Sequence, residues 1–273
     1  MQKIPVINNT MSNPYPTVLT ISGHDPCGGA GIQADIEVFL SHGCHPCSVI
    51  TCLTEQNTEN VKQVFPQPAE RILQQLRTLV TDINIQCIKI GLIGSVEILQ
   101  TLCLFLEEYP LIPVVLDPVL ASGGGLNLAN SHIIEEMRSK LIPLTTIITP
   151  NFKEAQRLSE NQETLNNCGQ YLISLGCLYV LITGTEENTP RVINTLFFSH
   201  NQITQNTWER LPHSYHGSGC TLAAHIASLL ACGIDTRTAV TEAQSLTWQN
   251  LNAGYQPGKG QFVPNRLHKR RKK

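Results

Sequence analysis

Residues 18–40 read Val18-Leu-Thr-Ile-Ser22-Gly-His-Asp-Pro-Cys-Gly-Gly-Ala-Gly31-Ile-Gln-Ala-Asp35-Ile-Glu-Val-Phe-Leu40. The run 18–22 is short, apolar and followed by glycine, which predicts a buried strand. Residues 32–40 carry apolar side chains at helical spacing, and 48–53 are β-rich again. A strand, a wide Gly-rich loop, a helix and a second strand make a β-α-β unit. The alternation continues down the chain. Helices are expected at 69–80, 96–108, 131–141, 154–158, 165–175, 221–231 and 236–252, and strands at 85–90, 114–116, 145–149 and 178–182. The runs 192–198 and 202–208, separated by Ser199-His200-Asn201, signal a hairpin. Repeated β-then-α units predict an α/β fold: three layers, a mostly parallel central sheet and helices on both faces. Ligands in such folds bind beyond the carboxyl ends of the strands.

Composition narrows the function. The 273 residues are 41% hydrophobic, enough for one large domain, and only 5% aromatic, too few for base-stacking surfaces. Net charge is -2, and five of the 19 basic residues lie in 269–273. The remaining body is acidic, which argues against nucleic acid as a partner. The basic run is expected to be a solvated tail, so the chain divides into a flexible segment 1–16, one domain 17–260 and a disordered tail 261–273. No signal peptide and no apolar run of about 18 residues is present, so no membrane partner and a cytoplasmic location are expected. The ten cysteines are scattered, several inside apolar segments, which fits reduced thiols. Cys44-His-Pro-Cys47 has redox spacing but leads from helix into strand, the reverse of a thioredoxin motif.

Chemistry-bearing residues recur at the expected strand ends. His216-Gly-Ser-Gly-Cys220-Thr precedes an Ala- and Leu-rich helix. Gly217 and Gly219 leave backbone N–H groups free to converge at a helix start, a cradle for phosphate. Cys220 sits at its mouth, where a thiol pKa is expected to fall; the alternative is a loop capping a core helix with a buried cysteine. Gly29-Ala-Gly-Ile-Gln-Ala34 fits a loose dinucleotide fingerprint with Glu55 beyond it, but its approach is too wide for a Rossmann turn. A loop carrying Asp25 and Asp35 suits a small polar ligand at least as well. Asp117-Pro118 ends a strand where a carboxylate can hold Mg²⁺. Asn151 and Glu154, three apart at a helix start, either face one ligand or simply cap the helix. Lys89 is either a phosphate-pairing cation or an exposed strand-end lysine. Together these residues are the equipment of phosphoryl transfer.

The runs 22–35, Gln56-Asn-Thr, Lys89-Ile-Gly, Leu116-Asp-Pro-Val, Ile148-Thr-Pro-Asn with Glu154, and 216–221 resemble, in order, the motifs of the hydroxymethylpyrimidine/phosphomethylpyrimidine kinases of thiamine biosynthesis. The resemblance spans roughly residues 17–255. It implies a ribokinase-like fold, ATP as co-substrate, Mg²⁺, and phosphorylation of 4-amino-5-hydroxymethyl-2-methylpyrimidine and then of its monophosphate. It implies Cys220 as base, with Gly217 and Gly219 over the transferred phosphate. Asp117 and Glu154 would act through Mg²⁺. Gly23, Asp35 and Gln56 would hold the pyrimidine, with Asn151, Thr183 and Gly184 on the nucleotide side; a homodimer is expected. His24 stands where many members have Thr, and Thr183-Gly184-Thr185 replaces a common Lys-Gly-Gly-His. A pyridoxal kinase has similar motifs and is the nearest rival. A non-catalytic nucleotide-binding regulator and an NAD-dependent dehydrogenase are more distant ones.

Overall fold

The computed structural model describes residues 14–184, 189–199 and 202–268. The N-terminal residues 1–13, Thr185, the hairpin tip at His200 and Asn201, and the basic run 269–273 lie outside them. The strands are β1 (Thr17–His24), β2 (His45–Gln56), β3 (Val61–Pro66), β4 (Cys87–Ile90), β5 (Val114–Leu116), β6 (Ile147–Ile148), β7 (Tyr179–Ile182), β8 (Arg191–Phe198) and β9 (Gln202–Glu209). They form one sheet in the order β3-β2-β1-β4-β5-β6-β7-β8-β9. The pairs from β2 through β7 are parallel, while β3, β8 and β9 join antiparallel at the two edges.

The helices are α1 (Gly31–Ser41), α2 (Ala69–Asp82), α3 (Val96–Glu108), α4 (Ser131–Glu136), α5 (Phe152–Leu158), α6 (Leu165–Ser174), α7 (Ser218–Ala231) and α8 (Thr236–Asn252). Alternating strand residues feed two cores. Leu19, Ile21, Ile88, Ile90 and Leu116 pack against α2 to α6. Val18, Cys87, Val115, Ile147 and Leu181 pack against α1, α7 and α8. Strands buried on both faces lose the polar alternation of a half-exposed sheet, which is why they read as continuous apolar runs. The expected three-layer α/β architecture is the one observed.

Three local expectations need correction. β3 was not anticipated, because Val61-Lys-Gln-Val-Phe-Pro is an edge strand with no buried residue. The single helix expected over 131–141 is α4 followed by a π-helical turn, Met137–Leu141, and a 3₁₀ turn, Ile142–Leu144. Residues 261–268 are not a disordered tail: Tyr255 pairs with Val263, and Phe262 with Tyr215. Val263 and Arg266 are only 3% and 4% exposed, so the domain runs past residue 260.

Candidate active site

The carboxyl ends of the parallel strands and the start of α7 enclose a cleft of about 990 Å³. Gly217 caps α7 with φ +80°, a left-handed conformation, and an added Cβ would collide with the Gly29 carbonyl oxygen. Only glycine fits there. The first helical bond is Thr221 N–H to Gly217 O at 2.9 Å. Helix geometry therefore leaves the N–H groups of Ser218, Gly219 and Cys220 without intrahelical acceptors, at the positive end of the helix dipole. A Cβ built on Gly219 would lie 3.7 Å from Asp117 Oδ1, so the cradle faces the end of β5.

Cys220 lines the cleft in the first turn of α7. Its thiol pKa does not fall as expected. Burial pushes it well up and the Asp117 carboxylate adds to the rise, against Lys89 and a hydrogen bond from the Gly31 N–H. Desolvation of a thiolate outweighs the helix end here.

Asp117 is 5% exposed, and its Oδ2 has no hydrogen-bond partner; Lys89 Nζ stands 3.9 Å away. A strand-end carboxylate that lines the cleft and keeps spare acceptor capacity suits a hard cation, so the residues present fit Mg²⁺. Asn151 and Glu154 are both a helix cap and part of the cleft wall. Asn151 Oδ1 accepts from Glu154 N at 2.9 Å and Glu154 Oε2 accepts from Asn151 N at 3.0 Å, a capping box on α5. Glu154 Oε1 also accepts from Leu120 N at 3.2 Å.

On the substrate side, Gly23 and Gln56 line the cleft. A Cβ on Gly23 would come within 2.9 Å of Cys52 Sγ. Gln56 Nε2 lies 3.4 Å from His216 Nε2. Asp35 is a correction. It is wholly buried beneath the loop, where its Oδ2 accepts from Thr20 Oγ1 at 2.6 Å and Lys89 Nζ at 3.0 Å, so it cannot touch a ligand in the cleft. The exposed-lysine alternative for Lys89 falls with it. Burial works against the Lys89 ammonium, but the Asp35 carboxylate, ahead of Cys220 and Asp117, holds it charged with a pKa above the ordinary lysine range.

Asp25 organises the Gly-rich loop. Its Oδ1 accepts from the N–H and thiol of Cys27, both at 2.9 Å, and its Oδ2 from Ala30 N and His216 Nε2, both at 2.8 Å. Burial opposes the charge, yet the hydrogen bonds from His216 and Cys27 hold the carboxyl at about 2. The loop is wide and internally tied, unlike a tight dinucleotide turn.

On the nucleotide side, Asn151 and Thr183 are bridge partners at neighbouring strand ends and both line the cleft. Gly184 is a second correction. It is buried, its N–H donates to Asn194 Oδ1 at 3.1 Å, and a Cβ would strike the Ile193 carbonyl. Glycine is needed there for close approach to β8, not for a ligand.

Arg266 was missed. Its Nε donates to Thr221 Oγ1 at 2.9 Å, one Nη to Glu37 at 3.0 Å, and the other to the Gly29 carbonyl. It fastens the Gly-rich loop to α1 and to the first turn of α7. A basic residue beside a basic run carries no sequence signal for such a role.

Among the described residues no helix is long and apolar enough to cross a membrane. Residues 25–265 match the family described as phosphomethylpyrimidine kinase. The chain is 34% identical over 245 residues to a probable thiamine biosynthetic bifunctional enzyme, chloroplastic, of Oryza sativa, covering 88% of this chain but only 45% of that protein. It is 34% identical to the hydroxymethylpyrimidine/phosphomethylpyrimidine kinase of Escherichia coli, covering 83% of this chain and 87% of that one. A crystal structure of phosphomethylpyrimidine kinase from Clostridium difficile superposes with TM-score 0.73 at 33% identity, over 84% of this chain and 96% of that one. Bacillus subtilis pyridoxal kinase, in an ADP complex, superposes with TM-score 0.86 at 28% identity, over 94% and 99%. The fold is thus the ribokinase-like one that the motifs imply. A helix-end anion cradle opposite a strand-end carboxylate, on a sequence that matches the family over residues 25–265, places this chain in the phosphomethylpyrimidine kinase family.

Proposed function

We propose that this protein transfers the γ-phosphoryl group of ATP to 4-amino-5-hydroxymethyl-2-methylpyrimidine, and then to the resulting monophosphate. The observation that carries the reading is the opposition of the α7 N-terminus to Asp117 across one cleft. A phosphoryl group between them meets backbone N–H donors on one side and a cation-binding carboxylate on the other. Phosphoryl transfer needs little more than such positioning and charge neutralisation.

Asp117 and Glu154 would hold Mg²⁺, which when bound supplies positive charge to offset the phosphate oxygens. The N–H groups of Ser218, Gly219 and Cys220 receive the transferred phosphate. Cys220 is positioned to take the hydroxymethyl proton. Burial keeps its thiol protonated at rest, so the group is suited to work only in the loaded site. Gly23 and Gln56 form the pyrimidine wall, where the amide of Gln56 offers a donor and an acceptor to a ring nitrogen and its amino neighbour. Asn151 and Thr183 border the nucleotide.

The overall superposition on pyridoxal kinase supports a second reading, a kinase for pyridoxine-type alcohols. A coupled assay with both alcohols separates the two. The pyrimidine is expected to give the higher kcat/KM, and Gln56→Leu to erode the preference; equal efficiency or a preference for pyridoxine selects the second reading. A cytoplasmic setting is part of the proposal, supported by ten cysteines without disulfides. So is a homodimer, supported by Leu53 and Phe65, exposed cross-strand neighbours at the β3 edge, and tested by sedimentation.

A further inference from the structure

Asp25, Cys27 and His216 bring a carboxylate oxygen, a thiol sulfur and an imidazole nitrogen within 4.8 Å of one another. Two of the separations are shorter still: Asp25 Oδ1 to Cys27 Sγ is 2.9 Å and Asp25 Oδ2 to His216 Nε2 is 2.8 Å. The three come from two segments far apart in sequence, the Gly-rich loop and the residue before the Gly217 cap. The loop is held in shape by Gln33, which bonds both the N–H and the carbonyl of Asp25, and by Arg266 at Gly29. The donors are therefore gathered by the fold rather than by flexible surface chains. We propose that they form a binding site for a zinc-type divalent cation at the rim of the pyrimidine pocket.

The donor set decides the class of metal. One thiolate, one imidazole and one carboxylate match Zn²⁺ and its chemical neighbours, whereas Mg²⁺ prefers an all-oxygen shell such as Asp117 and Glu154 offer. Tetrahedral zinc with bonds of about 2.0–2.3 Å sets donors roughly 3.3–3.7 Å apart. The two close separations, 2.9 and 2.8 Å, fall short of that spacing, so the donors must part slightly to admit a metal. At present the protons of the Cys27 thiol and the His216 ring occupy the space between donors. On binding, the Cys27 S–H proton leaves to solvent and the resulting thiolate bonds the metal. His216 gives the Nε2 proton it now shares with Asp25 to solvent, takes or keeps one ring proton on Nδ1 from the same solvent, and binds through the freed Nε2 lone pair. Two anionic ligands then balance the divalent charge. Gln56, which lines the cleft, has its amide nitrogen 3.9 Å from Cys27 Sγ, so the cluster borders the pocket. Metal there ties the Gly-rich loop to the start of α7 and competes with a pyrimidine for Gln56.

The test uses the full chain, stripped with a chelator and titrated with Co²⁺ alone. The expected result is one equivalent bound, with a thiolate-to-cobalt charge-transfer band that Zn²⁺ abolishes by displacement. Cys27→Ser should remove the band and weaken Zn²⁺ binding by roughly tenfold or more, and His216→Gln should weaken it comparably. Cys232→Ser alters a thiol pair elsewhere, Cys44 and Cys232 at 3.9 Å, and should change nothing. A band that survives Cys27→Ser, a band lost in Cys232→Ser, or the absence of stoichiometric binding would each overturn the proposal. Because Asp117 and Glu154 are untouched throughout, these outcomes are independent of the kinase reading.

Discussion

Lys89 Nζ lies 3.0 Å from Asp35 Oδ2, and solvent reaches neither side chain. The pair sits under the cleft, between the Gly-rich loop and Asp117. Removing one partner leaves a buried charge uncompensated, which costs about 3–5 kcal/mol. Lys89→Met should therefore lower the unfolding free energy by about that much in urea titrations. The double variant Lys89→Met with Asp35→Asn should lose less than the sum of the single changes. Additive losses would show that the two groups do not act as a pair.

Cys220→Ser should cut kcat by about 10²–10⁴-fold while ATP affinity holds, because the proposed proton acceptor is lost and the backbone cradle is kept. Steady-state kinetics with ATP binding measured separately checks this. Near-normal turnover would reduce Cys220 to a packing residue.

Glu154→Gln removes charge but retains the oxygen that accepts from the Asn151 N–H, so α5 keeps its cap. Stability should fall by about 1–3 kcal/mol, because the Gln amide nitrogen then faces the Leu120 N–H from which Glu154 Oε1 accepts. The Mg²⁺ concentration giving half-maximal activity should rise. An unchanged Mg²⁺ titration would remove Glu154 from the metal's surroundings.

Arg266→Ala strips hydrogen bonds from Thr221, Glu37 and the Gly29 carbonyl, and hydrogen bonds to charged groups contribute about 1.5–3 kcal/mol each. The expected loss in unfolding free energy is about 2–3 kcal/mol, discounted because Glu37 is partly in water. Turnover should fall with it, since the cradle loses its support. A variant of full stability and activity would contradict the clamp.

The architecture was legible because parallel strands buried on both faces leave uninterrupted apolar runs, and because Gly217 and Gly29 mark places where backbones must touch. What stayed hidden depends on contacts between distant segments. Nothing around Asp35 says that Lys89 will neutralise it, so a polar residue after a Gly-rich loop reads as a ligand-binding group. Gly184 reads the same way, although its constraint is the Ile193 carbonyl on the next strand. Helix-end electrostatics is visible in sequence and argues for a low Cys220 pKa; the burial that reverses it is not. β3 lacks a buried face because it is an edge strand, and Arg266 owes its place to partners far away in sequence.

Gly29 and Arg266 are 237 residues apart in the chain. At translation rates of roughly 5–20 residues per second, the loop emerges some 10–50 s before its fastener exists. A nascent chain halted between residues 231 and 266 already contains the cleft's sheet, Cys220, Asp117 and Glu154, yet the joint between loop and α7 lacks Arg266. Products that end short of residue 266 lack this fastener, and their turnover is expected to fall as it should in Arg266→Ala.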